Sequence, residues 1–148
     1  MRFQKILAPT DLSPESERAF AEVAELARRL GAGVVLLHVV ENVGAAALGT
    51  PLTAPVLLPG TEEELARARA LLLERKRRAF EGLEVELEVL VAPSVPRAIV
   101  DAAHAKGCDL IALSTHGRTG FRRLIVGSVA EAVLRASRVP VLAFPRQD

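Results

Sequence analysis

One segment of the chain combines small residues, glycine and arginine in the way that phosphate-binding loops do. Ser114-Thr115-His116-Gly117 is followed, nine residues later, by Gly127-Ser128, and Arg118, Arg122 and Arg123 lie between them. Glycine lets the backbone approach an anion closely, a helix N-terminus offers unpaired N–H groups, and arginine neutralises the charge of a phosphate. The segment therefore predicts a nucleotide-binding site.

This chemistry requires the segment to join a strand to a helix. Residues 109–113, which are apolar from Leu110 onward, predict a strand that ends at Ser114. Ser128, with Glu131 three residues later, has the spacing of a capping box, so a helix is expected to begin there with Ser128 as its N-cap. Simple capping is the alternative role for Ser128, but a cap and an anion use the same N–H groups, so the two roles are compatible.

A second segment, Pro9-Thr10-Asp11, directly follows the first predicted strand. In open parallel α/β sheets, ligands bind beyond the carboxyl ends of the strands. The Asp11 carboxylate could accept hydrogen bonds from ribose hydroxyls or from an adenine amino group. Its alternative role is that of a turn former or helix cap. The two segments together predict two halves of one nucleotide site.

Strand and helix patterns alternate along the whole chain, as in parallel α/β proteins. They predict a Rossmann-like open five-stranded parallel sheet with helices on both faces. The predicted strands are 4–8, 34–40, 83–89, 109–113 and 139–144, and the predicted helices are 14–30, 61–80, 94–105 and 128–136. Residues 83–89 alternate strictly between apolar and acidic residues, which predicts a sheet edge. The long 41–60 connection is expected to be functional or mobile, or else to cover a helix edge or a subunit contact.

Composition limits the classes of partner. The chain has 148 residues, half of them apolar, with a net charge of +1, so we expect one domain over residues 1–148 and no nucleic-acid or membrane partner. Five Phe without Trp or Tyr leave few platforms for base stacking. Cys108 is the only cysteine, and we find neither an N-terminal signal nor an apolar run of about 20 residues. These features predict a cytoplasmic protein.

The motifs resemble those of the ATP-binding branch of the universal stress protein family. The matching segments span nearly the whole chain: Pro9-Thr10-Asp11, Leu37-His38-Val39, Ser114-x-His116-Gly117, Gly127-Ser128-Val129 and Val139-Pro140-Val141-Leu142. The family pattern is Gly, two residues, Gly, nine residues, then Gly and Ser or Thr. This sequence departs from it at the first position, where Ser114 replaces glycine, although serine is small enough to keep the backbone close to a ligand.

The resemblance implies a role for each matching residue. Those expected to border adenine and ribose are Pro9, Thr10, Asp11 and Val39, with Val39 contacting adenine through its main chain and side chain. Those expected to line the ribose and first phosphates are Leu113, Ser114 and Gly117. Those expected to hold the distal phosphates are Gly127, Ser128 and Val129.

Two further residues and a metal ion complete the predicted site. Arg118 is added because it directly follows Gly117. His116 is a candidate phosphate contact, and a hydrogen bond to nearby backbone is its alternative role. Mg²⁺ would accompany the ATP, held by phosphate oxygens and water because the sequence has no carboxylate cluster of metal-ligand spacing.

The resemblance also implies a homodimer built on the last strand, Val139 to Phe144. This strand is apolar on both faces, and an open edge of this kind invites pairing with another chain. Pro140 weakens pairing on one side only. We expect two copies to pair antiparallel through this strand.

The leading hypothesis is therefore a dimeric ATP-binding regulator of the stress response. Nucleotide occupancy would change the loop and hence a surface for an unknown protein partner. One alternative is a slow ATP hydrolase or phosphotransferase that uses His116 or Ser128, although the Gly-x-x-x-x-Gly-Lys loop with its phosphate-activating lysine is missing. The other is an interaction module in which Ser114 has closed the pocket.

Overall fold

The computed structural model describes residues 2–42, 61–115 and 126–145, and the 43–60 part of the long connection lies outside this range. Strands and helices alternate strictly within the described residues. The strands are β1 (Lys5–Pro9), β2 (Gly33–Glu41), β3 (Val85–Ala92), β4 (Leu110–Ser114) and β5 (Val141–Phe144). The helices are α1 (Pro14–Leu30), α2 (Glu62–Ala79), α3 (Val95–Ala105) and α4 (Ser128–Ala136).

The strands form one parallel sheet in the order β3-β2-β1-β4-β5. The chain moves outward from β1 through β2 to β3, then crosses to the other side of β1 and continues to β4 and β5. The crossovers therefore diverge between β1 and β4, and such a switch point opens a crevice at the carboxyl ends of the strands. The predicted open parallel sheet is confirmed, and so is the position of β3 at its edge.

Each face of the sheet has its own apolar core. On one face, Phe20 and Phe80 pack with ring centroids 5.4 Å apart, and they bury Ile6 and Leu36 beneath α1 and α2. On the other face, α3 and α4 cover a separate cluster. Its largest fully buried side chains are Leu7, Val35, Leu37, Ile99, Ile111 and Val133. The predicted placement of helices on both faces is therefore confirmed.

Local signals set the boundaries of the first two helices as predicted. The Ser13 hydroxyl caps α1 by accepting the Ser16 N–H, and Gly31 ends the helix with a left-handed φ of 64°. Thr61 caps α2 in the same way by accepting the Glu64 N–H at 3.2 Å.

The capping role predicted for Ser128 is wrong, because Gly127 is the N-cap of α4 and Ser128 is the first residue of the helix. The Gly127 N–H donates to the Thr115 carbonyl at 2.7 Å. A Cβ at position 127 would lie 2.6 Å from that oxygen. Contact with the end of β4, and not a side-chain capping bond, therefore determines where α4 begins.

Two strands differ from their predicted ranges because neighbouring segments set their ends. β3 extends to Ala92, where it pairs with Glu41 of β2, and it begins only at Val85. β5 begins at Val141, because the Ser137 hydroxyl bonds both the N–H and the carbonyl of Val139 and so holds that residue in a turn. Val139 and Pro140 therefore lie outside the final strand.

The acidic face of β3 is paired with lysine. Glu86 contacts Lys5 at 3.1 Å and Lys106 at 2.6 Å, and Lys106 also contacts Glu88 at 2.5 Å. These ion pairs connect the edge strand to β1 and to the end of α3.

None of the helices in the described ranges has both the length and the apolar composition of a membrane span.

Candidate functional site

A cavity of ≈ 270 Å³ lies at the carboxyl ends of β1, β2 and β4, on the side of the sheet covered by α3 and α4. Every predicted site residue that the structure describes lines it. These residues are Pro9, Thr10, Asp11, Val39, Leu113, Ser114, Gly127, Ser128 and Val129. His116, Gly117 and Arg118 lie outside the described residues. The two predicted halves of the site therefore line a common space.

Several lining residues were missed by the sequence analysis. They are Ser16, Leu37, Val95, Ile99, Thr115 and Ala130. Leu37 could have been found, because residues two apart in a strand share a face and Val39 was already a candidate. Val95 and Ile99 lie one helical turn apart on α3, and nothing local indicates that this turn faces the cavity. These two side chains, together with Leu37 and Val39, give the cavity an apolar wall.

The polar groups of Thr10 are engaged by the protein itself. Its N–H donates to the Leu37 carbonyl at 2.8 Å, and its carbonyl lies 2.9 Å from His38 Nδ1. Because a carbonyl can only accept, the His38 Nδ1 carries a proton and donates it. His38 therefore has a structural role, since it ties the end of β2 to the residue that follows β1.

Asp11 lies at the turn between β1 and α1. Its Oδ1 accepts the Ser13 N–H at 2.9 Å, so the turn-forming role expected as an alternative is present. Asp11 also lines the cavity, where it is the only charged side chain among the described lining residues. One carboxylate thus shapes the turn and gives this end of the cavity acceptor character.

Leu12 has a left-handed backbone with φ of 63°, the only non-glycine residue in the described ranges with a positive φ. A bulky residue in this region carries strain of roughly 1–3 kcal/mol, which persists only where the surroundings hold it. The Leu12 N–H donates to Thr10 Oγ1 at 3.0 Å, and this contact belongs to the same turn. The strained residue directly follows Asp11, so the strain is located at the site.

Ser114 ends β4 in strand register with Phe144. Its φ is not positive, so this backbone position does not require glycine. The departure of Ser114 from the family pattern is therefore compatible with the local conformation.

The N-terminus of α4 forms another part of the cavity wall. Ser128 and Val129 are exposed, and Val129 is 39% accessible. The first turn of a helix presents N–H groups without intrahelical partners and carries partial positive charge. This part of the wall suits an anion, whereas the part formed by Asp11 suits a hydrogen-bond donor.

Cys108 and the metal-binding residue types do not add a reactive centre to the described part of the chain. Burial raises the pKa of the Cys108 thiol to about 11, so this buried thiol stays protonated and unreactive at neutral pH. Across residues 2–42, 61–115 and 126–145, no group of three or more His, Cys, Asp or Glu side chains could hold a metal ion.

Comparison with known proteins assigns the fold and motifs to a family. The sequence model of the universal stress protein family matches residues 2–145. The chain belongs to the universal stress protein family. Universal stress protein MJ0577 of Methanocaldococcus jannaschii is 29% identical, over 99% of this chain and 97% of its own. Universal stress protein MJ0531 of the same organism is 33% identical, over 97% and 83% respectively.

Solved structures agree with this assignment. The structure of MJ0577 matches with a TM-score of 0.78 and 28% identity, over 100% of this chain and 99% of the other. A universal stress protein from Archaeoglobus fulgidus, solved in complex with dAMP, matches with a TM-score of 0.59 and 25% identity, over 97% and 98%. The family and its Rossmann-like fold are thus confirmed, and one structural neighbour binds an adenine nucleotide.

Proposed function

We propose that this universal stress protein binds ATP in the cavity between the carboxyl ends of β1 and β4, and that it acts as a regulator and not as an enzyme. The observation that carries the proposal is the convergence of four segments, at residues 9–11, 39, 113–114 and 127–129, on one cavity at the switch point of the sheet. The dAMP complex of a structural neighbour supports an adenine nucleotide as the ligand class.

The dimensions and chemistry of the cavity fit the nucleoside part of ATP. Its ≈ 270 Å³ is close to the lower end of small-molecule sites, which begin at about 300 Å³. The apolar wall of Val39, Val95 and Ile99 would contact the base, and Asp11 would accept a hydrogen bond from the base or the ribose. The phosphates would then extend along the exposed first turn of α4, which also lines the cavity.

Mg²⁺ would enter this site with the triphosphate. The described residues offer no carboxylate cluster for it, so its ligands would be phosphate oxygens and water. Bound Mg²⁺ would offset part of the phosphate charge. The chain itself would supply the base wall, the Asp11 acceptor and the N–H groups of α4. His116, Gly117 and Arg118 remain proposed phosphate contacts.

Substitution of Ser128 by Asp tests the proposal directly. A carboxylate in the first turn of α4 stabilises the helix but repels phosphate from the same N–H groups. We expect calorimetric titration with Mg-ATP to give binding to the native protein and a loss of about tenfold or more in affinity for Ser128→Asp. The control is Thr61→Asp, which adds the same charge and keeps a capping oxygen at the N-terminus of α2, away from the cavity.

The titration also distinguishes the alternatives. Bound ATP that stays intact over hours supports a regulator, whereas steady release of phosphate supports a slow hydrolase or phosphotransferase. If the native protein gives neither binding heat nor thermal stabilisation with Mg-ATP, the chain is an interaction module and the proposal is wrong.

We further propose a cytoplasmic homodimer that presents a nucleotide-dependent surface to a protein partner. Support for the dimer comes from β5, which lies at the end of the described sheet with Leu142 37% exposed. Support for a reducing compartment comes from the buried free thiol of Cys108.

A further inference from the structure

Ser16 lies in the first turn of α1, yet it lines the cavity, and its residue is only 8% exposed. Its hydroxyl oxygen is 2.7 Å from Thr10 Oγ1 and 2.9 Å from the Ser13 carbonyl. Thr10 precedes the turn that carries Asp11, and Ser13 follows it. A single side chain therefore bridges the two ends of this turn.

The donor in each contact follows from counting hydrogens. Ser16 has one hydroxyl proton, and the Ser13 carbonyl can only accept, so the Ser16 hydroxyl donates to Ser13. Thr10 must then donate its own hydroxyl proton to Ser16 Oγ. This leaves a Thr10 lone pair to accept the Leu12 N–H. The order of donation therefore runs from Leu12 to Thr10 to Ser16 to Ser13.

This chain of hydrogen bonds holds the strained part of the turn. The Leu12 N–H, in a left-handed residue, depends on the orientation of Thr10 Oγ1, which in turn depends on Ser16. The Ser13 N–H reaches Asp11 Oδ1 from the other end of the turn. Both donors of Thr10, its N–H and its hydroxyl, are used within the protein, so Thr10 has no donor for a ligand.

We infer that Ser16 is a positioning residue: acting through Thr10 and Ser13, it holds the turn that presents the Asp11 carboxylate to the nucleotide. The inference rests on the proposed ATP site and deepens it, because it assigns nucleotide selection at this end of the cavity to a hydrogen-bonded unit and not to Asp11 alone. Ser16 touches the cavity but acts on the ligand through Asp11.

The first test needs no nucleotide. In Ser16→Ala we expect amide hydrogen exchange at Leu12 and Ser13 to lose about tenfold in protection, while amides in the interior of α1 keep theirs. Thr61→Ala is the control, since it removes one capping hydrogen bond at α2, outside the turn. Unchanged protection at Leu12 and Ser13 overturns the inference whether or not ATP binds. Urea unfolding of both variants verifies that each is folded.

The second test is a double-mutant cycle on ATP affinity. We expect Ser16→Ala to weaken Mg-ATP binding about tenfold and Asp11→Asn to weaken it by about 10- to 100-fold. The double variant should match Asp11→Asn within about twofold, because Ser16 acts only through that carboxylate. Full additivity of the two losses, or native affinity in Ser16→Ala, contradicts the inference. Absence of binding to the native protein contradicts the proposed function instead, and leaves the exchange experiment to decide the role of Ser16.

Discussion

At the scale of single residues, the contacts of Gly127 within the protein already require glycine at this position, without any ligand. Its N–H donates to the Thr115 carbonyl, and a Cβ in its place would lie 2.6 Å from that oxygen. The family pattern connects this glycine with phosphate, but the requirement for glycine also has a structural cause. The contact joins the end of β4 to the beginning of α4, so it sets the geometry within one half of the site.

Gly127→Ala should therefore destabilise the protein even without nucleotide. The added methyl meets a backbone oxygen, which cannot rotate away as a side chain can, so α4 or β4 must shift. We expect a loss of about 1–3 kcal/mol in the free energy of unfolding, measured by urea denaturation. Gly33→Ala is the matched control, because the nearest atom to its added Cβ is Glu84 O at 3.9 Å. Equal effects of the two substitutions would contradict this account.

The sequence predicted some site residues and missed others for a physical reason. Asp11, Ser114 and Gly127 lie directly beside strand ends or a helix start, and in a parallel sheet these positions meet at one edge. Ser16 and Val95 lie within helices, and their contact with the cavity depends on how the crossovers pack against the sheet. Side-chain periodicity does not contain that information, because it specifies a buried face without naming what is buried against it.

At the scale of elements, edge strand β3 is attached through the charged cluster of Lys5, Glu86, Glu88 and Lys106. Hydrogen bonds from Lys106, and then from Lys5, hold the pKa of Glu86 below its ordinary value. Hydrogen bonds to Glu86 and Glu88 raise the pKa of Lys106. The cluster lies partly in water, with the Glu86 side chain 41% exposed, so solvent screens its ion pairs.

The lowered pKa of Glu86 predicts a pH dependence of stability. The unfolded chain protonates this carboxyl near its ordinary pKa of 4.5, and the folded protein does so only at lower pH. The stabilisation is thus fully present above about pH 4.5 to 5 and is lost as the pH falls through the lowered folded pKa. Glu86→Gln should reduce the loss in the free energy of unfolding between pH 6 and pH 3 by less than about 1 kcal/mol, as measured by urea denaturation.

The control for this experiment is Glu84→Gln, which makes the same change of charge at an exposed position two residues earlier. If the pH dependence of the free energy of unfolding is unchanged in Glu86→Gln, or is reduced equally in both variants, the cluster does not contribute to stability.

Element boundaries were predictable where the signal is local. Ser13 and Thr61 cap their helices, and Gly31 ends one, because each acts on residues within four positions of itself. The ends of β3 and the beginning of β5 were missed. The ends of β3 depend on pairing with β2, a contact that is distant in the sequence. The beginning of β5 depends on the turn at Ser137, a local contact that the continuous apolar pattern of residues 139–144 obscured. The order of the strands also depends on contacts that are distant in the sequence, so the sequence patterns did not predict it.

At the scale of the whole molecule, β5 is the last strand of the sheet in the described residues. The carbonyls of Pro140 and Phe144 accept hydrogen bonds from Ile111 and Thr115 of the β4 segment. Alternate residues of a strand direct their backbone groups to opposite edges, so the N–H and carbonyl of Ala143 face outward. Pro140 lacks an N–H on the inner side, where it does not affect pairing with a second copy.

Ala143→Pro should convert the proposed dimer into a monomer. The substitution removes an outward N–H while leaving the inner contacts of β5, and edge strands tolerate proline on this side. Light scattering coupled to size exclusion measures the change in mass, and Ala143→Ser, which keeps the N–H, is the control. A native protein that is monomeric at micromolar concentration would contradict the dimer itself. A dimeric Ala143→Pro variant would contradict only its assembly through β5.

The two hydrogen bonds of the Thr115 backbone also bear on how this protein can be engineered. The Thr115 N–H donates to Phe144, and its carbonyl accepts from Gly127, so residues 115 and 127 are fastened together at the base of the segment between them. This contact uses backbone groups alone, so the position of α4 against the end of β4 does not depend on the side chain of Thr115. We therefore expect side-chain substitutions between residues 115 and 127 that change ligand recognition to leave this backbone contact, and with it the start of α4, in place.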